Sequence, residues 1–464
     1  MPTTKQIALF IALLAGFLTP FDLSAVNIAL PSIGNEFSMD AIEMGWIATA
    51  YLLAAGVFLV PFGRIGDIWG RKKVFLAGLF IFTLASVLLV FSTSSLMIIL
   101  VRVLQGFGGA MIFGTTVAIL TSVVPANERG RVLGIYTTAV YIGLSAGPFL
   151  GGILTAWFGW RSIFFINIPV GIFAMCLVLL LLKEEWADSR GEPFDLAGSF
   201  QYGLALVCVM YGFSLLPELM GFILLLAGSA ILALFVLREL RIEYPVLDMT
   251  LFTKNRVFAF SNMAALINYS ATFAITFYLS LYLQYIKGFS PEHAGMLLVI
   301  QPVVQALFSP VAGWLSDKQE PGKIASIGMA LTAFGLVFLV LADTSTSLAE
   351  LVVVLIILGA GLGIFSSPNT NAIMGSVDRK KYGVASGTLG TMRLVGQMLS
   401  MGIAMMLLAV YVGDVQITSA YFPQFLTSMK TCFGIFAVLC SAGIFLSLVR
   451  CRKNTAGGTD CSVQ

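Results

Sequence analysis

The chain contains fourteen long apolar runs, and these constrain its fold more than any other feature of the sequence. A helix of about 20 apolar residues crosses the hydrocarbon core of a bilayer. The sequence therefore predicts an all-α integral membrane protein with fourteen transmembrane helices, named span one to span fourteen in chain order. Between charged or glycine- and proline-rich breaks, the runs fall near residues 7–30, 44–62, 74–92, 97–120, 133–157, 163–182, 196–216, 219–237, 257–286, 294–315, 324–342, 350–373, 383–411 and 429–449.

Composition excludes a soluble fold, because the apolar content exceeds what one globular core can hide. The 464 residues are 58% hydrophobic and 11% charged, whereas soluble domains average roughly 45–50% and about 25%. Exposed apolar patches on that scale would aggregate in water. Fourteen spans also leave no room for a soluble catalytic domain, so we expect a protein that is not an enzyme.

The reactive residues narrow the function further. His293 is the single histidine, and it excludes a multi-histidine metal site. Four of the six cysteines lie in apolar runs and the other two lie in the C-terminal tail, so no outer loop offers a disulfide partner. We expect no metal and no cofactor. A net charge of +3 is too small to indicate a nucleic-acid partner.

Lysine and arginine lie mostly on one side of the predicted membrane. With the N-terminus inside, the inner segments hold 21 of the 26 lysines and arginines and the outer loops hold three, while Arg102 and Arg393 fall within spans. Cytoplasmic loops carry such an excess, and a miscounted span would have scrambled it. The sequence therefore predicts that both termini lie in the cytoplasm.

Short segments recur at a nearly constant spacing, which indicates an internal repeat. The segment 63–67 (Gly-Arg-Ile-Gly-Asp) closes span two, and 313–317 (Gly-Trp-Leu-Ser-Asp) closes span ten 250 residues later. Gly106 and Gly359 are 253 residues apart, as are Gly130 and Gly383. The expected domains are an N-terminal six-helix bundle at 1–186, an inserted two-helix segment with flanking loops at 187–250, a C-terminal six-helix bundle at 251–450 and a cytoplasmic tail at 451–464.

Five motifs in order carry a resemblance to a known family. They are the loop 63–73 between spans two and three, the run 102–109 in span four, a glycine motif in span five, the run 21–31 in span one, and the junction 278–295 between spans nine and ten. Together they resemble the major facilitator superfamily, specifically its fourteen-helix drug/proton antiporter family of the multidrug efflux type. The resemblance implies two parallel six-helix repeats with a substrate site between them, in the inner membrane of a prokaryotic cell.

The loop motif has two interpretations. Gly63 and Gly66 allow helix ends to approach closely. Asp67 and Arg71 are expected to act as a cytoplasmic gate, pairing across the inner face when the two bundles close there. The alternative is a basic loop that only sets topology, but positive charge on the inner side does not by itself require an acid at position 67.

The span-five motif also has two interpretations. Gly143, Gly147 and Gly151 are spaced by four residues, with Gly152 beside them, and form a small-residue stripe that permits close helix packing. Pro148 breaks the backbone hydrogen-bond ladder midway. The resemblance associates this motif with export, whereas packing alone predicts no transport direction.

Asp22 is the only one of 23 acids that falls deep within a predicted span. An ionised carboxylate there costs at least several kcal/mol, so it must be paired, hydrated or protonated. This is the requirement for a proton-carrying group, and the alternative is a structural carboxylate bonded permanently to a neighbour. Arg102 of span four is the expected partner, since a guanidinium keeps its proton and can hold or release Asp22. The alternative is an arginine that bonds backbone carbonyls.

Aromatic, amide and cationic side chains within spans are candidates for a substrate cavity. Most aromatics on membrane helices contact lipid or other helices, but amides at membrane depth usually face the bundle interior, which favours Asn268, Gln301 and Gln305. Arg393 resembles a recurrent family arginine and its role is open. The full set is Trp46, Tyr51, Tyr141, Asn268, Tyr269, Phe273, Phe277, Gln301, Gln305 and Arg393.

The favoured function is proton-coupled antiport that exports amphipathic, drug-like small molecules by alternating access, with the protein working as a monomer. A metabolite permease on the same fold is the alternative, and the exporter-type motif in span five is evidence against it. A polytopic membrane enzyme or sensor is disfavoured, because the spans offer only one deep acid.

Substrate charge follows from the same count of acids. A dication needs two countercharges to avoid a desolvation cost of several kcal/mol. Only Asp22 is available at depth, and Arg102 and Arg393 make the cavity more positive. The sequence predicts neutral, zwitterionic, weakly acidic or at most monovalent cationic amphiphiles as substrates.

Overall fold

A computed structural model describes residues 4–125, 128–247, 249–378 and 382–449, and these form helices joined by short loops without any strand. Fourteen helical segments of this part are long and apolar enough to cross a membrane, which confirms the predicted number and the all-α fold. They are Thr4–Phe37, Ala41–Trp69, Arg71–Val90, Ser95–Val123, Val132–Phe158, Arg161–Leu181, Leu196–Ser214, Leu219–Glu239, Arg256–Ile286, Pro291–Lys318, Pro321–Leu341, Leu348–Gly375, Tyr382–Tyr411 and Ser419–Leu448. The predicted tail 451–464 lies outside the described residues, as do residues 379–381 of the inner basic set.

Local sequence explains where several spans begin and end. Asp40 caps span two by accepting from the backbone N–H groups of Ile42 and Glu43, at 2.8 and 2.7 Å, and the Glu43 side chain accepts from Asp40 N–H in return. Ser347 forms the same capping box with Glu350 at the start of span twelve. Helix two continues to Trp69 and so includes residues 63–69, which the sequence analysis placed in a loop.

Spans nine and ten differ from the continuous helices that the apolar runs predict. Span nine consists of Arg256–Ser270 and Phe273–Leu281, followed by a π-helical turn at Tyr282–Ile286. Span ten consists of Pro291–Leu298 and Ile300–Lys318. Apolar patterning does not register such breaks, because it reports immersion in lipid and not the continuity of the hydrogen-bond ladder.

The same helix pairs pack in both bundles. In the N-terminal bundle the closest pairs are spans one and five, two and four, three and four, and three and six. Their equivalents eight spans later, namely nine and thirteen, ten and twelve, eleven and twelve, and eleven and fourteen, pack likewise. The structure therefore contains two parallel six-helix repeats.

The inserted spans seven and eight lie outside both bundles. Span seven packs on span eight and also contacts span two and span thirteen, one from each bundle. The Tyr202 hydroxyl donates to the Gly56 carbonyl of span two at 3.2 Å, and the Phe213 ring lies against Gly402 of span thirteen. The inserted pair therefore covers one seam between the bundles. The residue boundaries of the predicted domains stay a prediction.

The two bundles close against each other at one end of the molecule. We call the end that carries Thr4 and the loop at Gly70 the basic face, and the opposite end the far face. At the far face Ser280 Oγ donates to the Asn27 carbonyl at 2.7 Å, and Gln284 Nε2 donates to the Ile28 carbonyl at 2.9 Å, both from span nine to span one. These contacts close the far face, and the space between the bundles opens towards the basic face.

Candidate functional site

A cavity of about 1960 Å³ lies between the bundles. Residues of spans one to five, ten, twelve and thirteen line it, together with the linkers that flank the inserted pair. Charged lining residues concentrate at the basic-face rim, where they come from both bundles and both linkers. These are Arg64, Asp67, Arg71, Arg129, Asp188, Glu192, Glu243 and Asp317, and the remaining charged lining residue, Arg393, lies deeper in span thirteen.

Asp22 lies beside this cavity in a fully buried polar cluster. Arg102 Nη1 donates to Asp22 Oδ2 at 2.6 Å, and both side chains are completely buried. Asn167 Nδ2 and Gln105 Nε2 donate to the other carboxylate oxygen at 2.7 and 3.1 Å. Three donors from spans four and six therefore satisfy the Asp22 carboxylate, which matches the predicted need for a partner at this depth.

Arg102 combines the two interactions that the sequence analysis posed as alternatives. Besides Asp22, its Nη1 donates to Gln105 Oε1 at 2.5 Å, and its Nε donates to the Ile47 backbone carbonyl at 3.1 Å. The Tyr51 ring lies 4.5 Å from the guanidinium carbon, a cation–π contact. A flat, forked cation fills this site in a way that an ammonium cannot.

Tyr51 connects the cluster to the cavity. Its ring contacts Arg102 on one side, and the residue is also part of the cavity lining. The Tyr51 hydroxyl, Arg102 Nη2 and Asn167 Oδ1 are buried without a hydrogen-bond partner among the described residues. Buried polar atoms are normally paired, so this cluster holds unused bonding capacity next to a large cavity.

Arg393 is held differently from Arg102. The described residues offer no acid within ion-pair distance of Arg393. Instead the Tyr269 ring of span nine lies 5.1 Å from its guanidinium carbon, and Tyr136 and Tyr141 of span five line the same cavity as Arg393. Tyr141 also donates to Ser366 Oγ of span twelve at 3.1 Å, which links the two bundles within the lining of this cavity.

The structure brings three of the ten predicted cavity residues together. Tyr51, Tyr141 and Arg393 line the cavity. Tyr269 reaches it only through its contact with Arg393. The other six are absent from the described lining: Trp46 packs near Tyr211 of span seven, Phe277 near Tyr278, Phe273 and Gln305 are half-buried elsewhere, and Asn268 and Gln301 are buried. Contact of these six with substrate stays a prediction.

The predicted gate residues pair within the basic face on one side of the cavity. Arg71 Nη2 lies 2.6 Å from Asp67 Oδ1, and Arg71 Nη1 lies 2.8 Å from Asp188 of the linker before span seven. Arg64 pairs in the same way with Glu192 of that linker at 2.5 Å. With the cavity open, these residues tie the linker to the N-terminal bundle, and pairing across the bundles stays a prediction.

The glycines of span five pack against two other helices. A Cβ at Gly147 would lie 2.5 Å from Ser24 Cβ, and one at Gly151 would lie 2.8 Å from Ala25 Cβ, so span one fits directly against this stripe. A Cβ at Gly152 would instead lie 2.5 Å from the Pro291 carbonyl oxygen, across the bundle interface. Gly143 extends the stripe along span one, where it faces the Phe17 carbonyl.

The Pro148 carbonyl, one turn before Gly152, lies against Gly295 of span ten. The motif is therefore both a packing stripe within one bundle and part of the closed far face between the bundles.

Sequence reasoning missed several members of the Asp22 cluster. Gln105 and Asn167 bond the carboxylate directly, and Ser86 accepts from Gln105 Nε2 at 3.1 Å. Asn167 had the same signal that favoured Asn268, an amide at membrane depth.

Glu239 is a further buried acid, 2% exposed, at the basic-face end of span eight. It accepts from Leu247 N–H at 2.8 Å.

Comparisons with known proteins agree with this architecture. Residues 12–252 and 261–459 match the profile of the Major Facilitator Superfamily. The riboflavin transporter RibZ of Clostridioides difficile is 32% identical over 452 residues, covering 97% of this chain and 98% of that protein. The multidrug resistance protein Stp of Mycobacterium tuberculosis is 28% identical over 89% of this chain and 77% of its own. The tetracenomycin C resistance and export protein of Streptomyces glaucescens is 29% identical with the same coverage.

Two solved structures share the fold. A bacterial homologue of the human lysosomal transporter Spinster, solved in an inward-facing and unoccupied conformation, superposes with a TM-score of 0.69 at 14% identity, over 97% of each chain. A proton-dependent oligopeptide transporter superposes with a TM-score of 0.66 at 14% identity, over 96% of this chain and 98% of that one. With the superfamily profile covering most of its length, this chain belongs to the major facilitator superfamily and is a membrane transporter, not an enzyme.

Proposed function

We propose that this protein is a proton-coupled antiporter that exports amphipathic, drug-like small molecules by alternating access. It would act as a monomer in the inner membrane of a prokaryotic cell, with the basic face and both termini in the cytoplasm and the proton gradient as its only energy source. In this orientation the cavity between the bundles opens to the cytoplasm, where an exporter must collect its substrate.

The observation that carries the proposal is the buried Asp22 cluster beside the cavity. A membrane carboxylate that exchanges a proton needs a stable environment in both of its charge states. The ionised state is served by Arg102, Gln105 and Asn167. In the protonated state Arg102 would keep its bonds to Gln105 Oε1 and the Ile47 carbonyl. Arg102 would therefore still have hydrogen-bond partners after its release from Asp22.

Asn167 supplies what a protonated Asp22 would need. A carboxylic acid donates one O–H bond, whereas a carboxylate only accepts. Asn167 Oδ1 is buried without a partner while its Nδ2 already contacts Asp22. Rotation of this amide by half a turn would exchange the donor for the acceptor. The cluster can thus bind Asp22 with or without its proton, and Tyr51 lies between it and the cavity.

Transport of substrate and proton is coupled if each of them stabilises the conformation that is open to a different side of the membrane. Substrate would enter the cavity from the basic face, and release of the proton from Asp22 to that side would restore the pair with Arg102. Reprotonation of Asp22 from the far side would require the contacts of Ser280 and Gln284 with span one to open. The proton and the substrate would thus use one pathway in turn, and this pathway would never be open to both faces at the same time.

A metabolite permease is the second candidate. Similarity to a riboflavin transporter over nearly the whole of both chains favours it, while similarity to the Stp and tetracenomycin C proteins favours drug export. The two functions differ in whether transport requires a proton gradient and in which compound is moved.

Transport into inverted membrane vesicles tests the proposal. Wild-type vesicles should accumulate rhodamine 123 only with an imposed proton gradient. The Asp22→Asn variant should lose this accumulation while purified protein still binds the dye, because the amide keeps size and polarity but carries no exchangeable proton. Normal accumulation in that variant would eliminate Asp22 as the coupling group. Riboflavin equilibration that ignores the gradient, without dye transport, would support the permease.

Asp343→Asn is the matched control. Asp343 lies in the far-face loop, where its carboxylate accepts bonds only from Ser345 and Thr346 among the described residues. These bonds, led by the one from the Ser345 hydroxyl, hold the pKa of Asp343 below its ordinary value. Loss of its charge should leave gradient-driven accumulation unchanged.

A further inference from the structure

We propose that Arg393 is the substrate-recognition cation of the cavity and that it selects planar aromatic compounds carrying one deprotonated acidic group, such as a carboxylate or phenolate. This inference rests on the proposed transport function and specifies its substrate class. Its support comes from how the two deep arginines differ in their partners, and from what surrounds the unpaired one.

The first step concerns charge. The positive charge of Arg102 is balanced by Asp22 at 2.6 Å, with both side chains completely buried. Arg393 has no such counterion among the described residues, and every acid that lines the cavity lies at the basic-face rim. The deep part of the cavity therefore carries one uncompensated positive charge.

The second step concerns depth. Arg393 is eleven residues after Tyr382, where span thirteen begins, which places it about 16 Å along the helix at 1.5 Å per residue. Span thirteen has 30 residues, so Arg393 lies in its middle third, inside the hydrocarbon core that this helix crosses. Water in the open cavity screens the charge in this state, but any closure around Arg393 would leave it desolvated. A substrate that brings a negative group would remove that cost.

The third step concerns shape. Tyr269 of span nine lies against the guanidinium, and Tyr136 and Tyr141 of span five line the same cavity from the other bundle. Polar groups of the second bundle, Ser366 and Gln397, also line this part of the cavity. Aromatic side chains from both bundles favour a flat ring system between them, and the planar fork of arginine matches a carboxylate in two parallel bonds.

The fourth step links the site to the transport cycle. Tyr141 donates to Ser366 Oγ across the bundle interface at 3.1 Å, and both residues line the same cavity as Arg393. A ligand held by Arg393 and the three tyrosines would contact helices that must move apart or together during alternating access. Arg393 would thus bind the substrate at one place, while Asp22 and Arg102 control proton binding at another.

Equilibrium binding to purified full-length protein tests this assignment, with two xanthene dyes of similar shape and opposite charge. At mildly acidic pH fluorescein is chiefly a monoanion, with one deprotonated acidic group, and rhodamine 123 is a cation. By fluorescence anisotropy, the wild type should bind fluorescein more tightly than rhodamine 123. Arg393→Gln should weaken fluorescein binding about tenfold or more and leave rhodamine 123 binding equal or tighter, because only the anion loses a partner. The fluorescein affinity of Arg393→Lys should fall between those of the wild type and Arg393→Gln, since lysine keeps the charge without the planar fork.

Arg241→Gln is the control for net charge, because Arg241 is exposed outside the cavity lining. It should bind both dyes as the wild type does. Equal loss of both dyes in the Gln and Lys variants, or fluorescein binding that is unchanged in Arg393→Gln, would overturn the assignment. Failure of the wild type to bind fluorescein would overturn it as well.

The dye experiment needs no proton gradient, so its outcome is separate from that of proton coupling. If Asp22→Asn vesicles transport normally while Arg393→Gln loses fluorescein selectively, the coupling proposal fails and the recognition site stands. The reverse pattern would reject the recognition site alone.

Discussion

Neutralising Asp22 and Arg102 singly and together measures whether the two residues depend on each other in the folded protein. Theirs is the only ion pair among the described residues in which both side chains are completely buried. Asp22→Asn leaves the guanidinium without a counterion, and Arg102→Gln leaves the carboxylate without one. The double variant removes both charges.

The expected magnitudes follow from burial. Removing one partner of a buried pair costs about 3–5 kcal/mol of unfolding free energy, because the other charge stays desolvated. Two such losses would add to about 6–10 kcal/mol if the residues were independent. The double variant loses mainly hydrogen bonds, at a net value of about 0.5–1.5 kcal/mol each. We therefore expect a total near 2–4 kcal/mol for it and a coupling energy of at least about 2 kcal/mol.

Unfolding in mixed detergent micelles of increasing SDS content, followed by tryptophan fluorescence, gives the four free energies of this cycle. A second cycle at Glu36 and Arg161 is the matched control. That pair forms two hydrogen bonds, at 2.7 and 2.8 Å, where Asp22 and Arg102 form one at 2.6 Å, but its side chains are 41% and 35% exposed. Solvent screening limits such a pair to about 0–1 kcal/mol. Additive losses in the Asp22 cycle would refute the idea that Arg102 is the counterion of Asp22.

Four further outcomes are expected. Gly152→Ala should open the far face, because its Cβ would meet the Pro291 carbonyl oxygen at 2.5 Å. Labelling of a cysteine placed in the cavity, from the far-face side, should therefore increase. Gly134→Ala, whose Cβ would have no atom within 4 Å, should match the wild type. Arg102→Lys should lose most gradient-driven transport despite keeping its charge, and a fully active lysine variant would contradict the need for a forked cation. Deleting residues 196–237 should preserve the orientation of all later spans, and reporter fusions that switch sides would show the insertion to be wrongly placed. Bis-quaternary dications should be exported poorly, and susceptibility tests showing equal protection against them and against monovalent compounds would disprove the charge argument.

The sequence alone determined the membrane class, the number of spans and the parallel repeat. Apolar length is a local property, since each helix satisfies its own backbone hydrogen bonds in lipid. The sequence also identified Asp22, because the cost of a carboxylate at that depth depends on its place within one span and not on the fold. Extension of span two through Gly63 and Gly66, and the breaks in spans nine and ten, required the structure.

Only the tertiary structure decided which side chains face the cavity. Lipid and helix interfaces are both apolar, so a hydrophobic residue on a membrane helix carries little information about which way it points. For that reason Trp46 and Phe277 could not be separated from Tyr51 and Tyr141 by sequence, although only the latter two line the cavity. Rotation of each helix about its own axis is fixed by packing against its neighbours.

The partners of Asp22 and Arg393 show the same division. Gln105 and Asn167 lie 83 and 145 residues from Asp22 along the chain. Their meeting depends on how spans one, four and six pack, which no local pattern encodes. The sequence determined that this chain has one deep acid and two deep arginines, because charge and depth belong to single residues. Which arginine the acid neutralises, and which is left for a ligand, was decided by the tertiary structure, because ion pairing requires two side chains within a few ångströms.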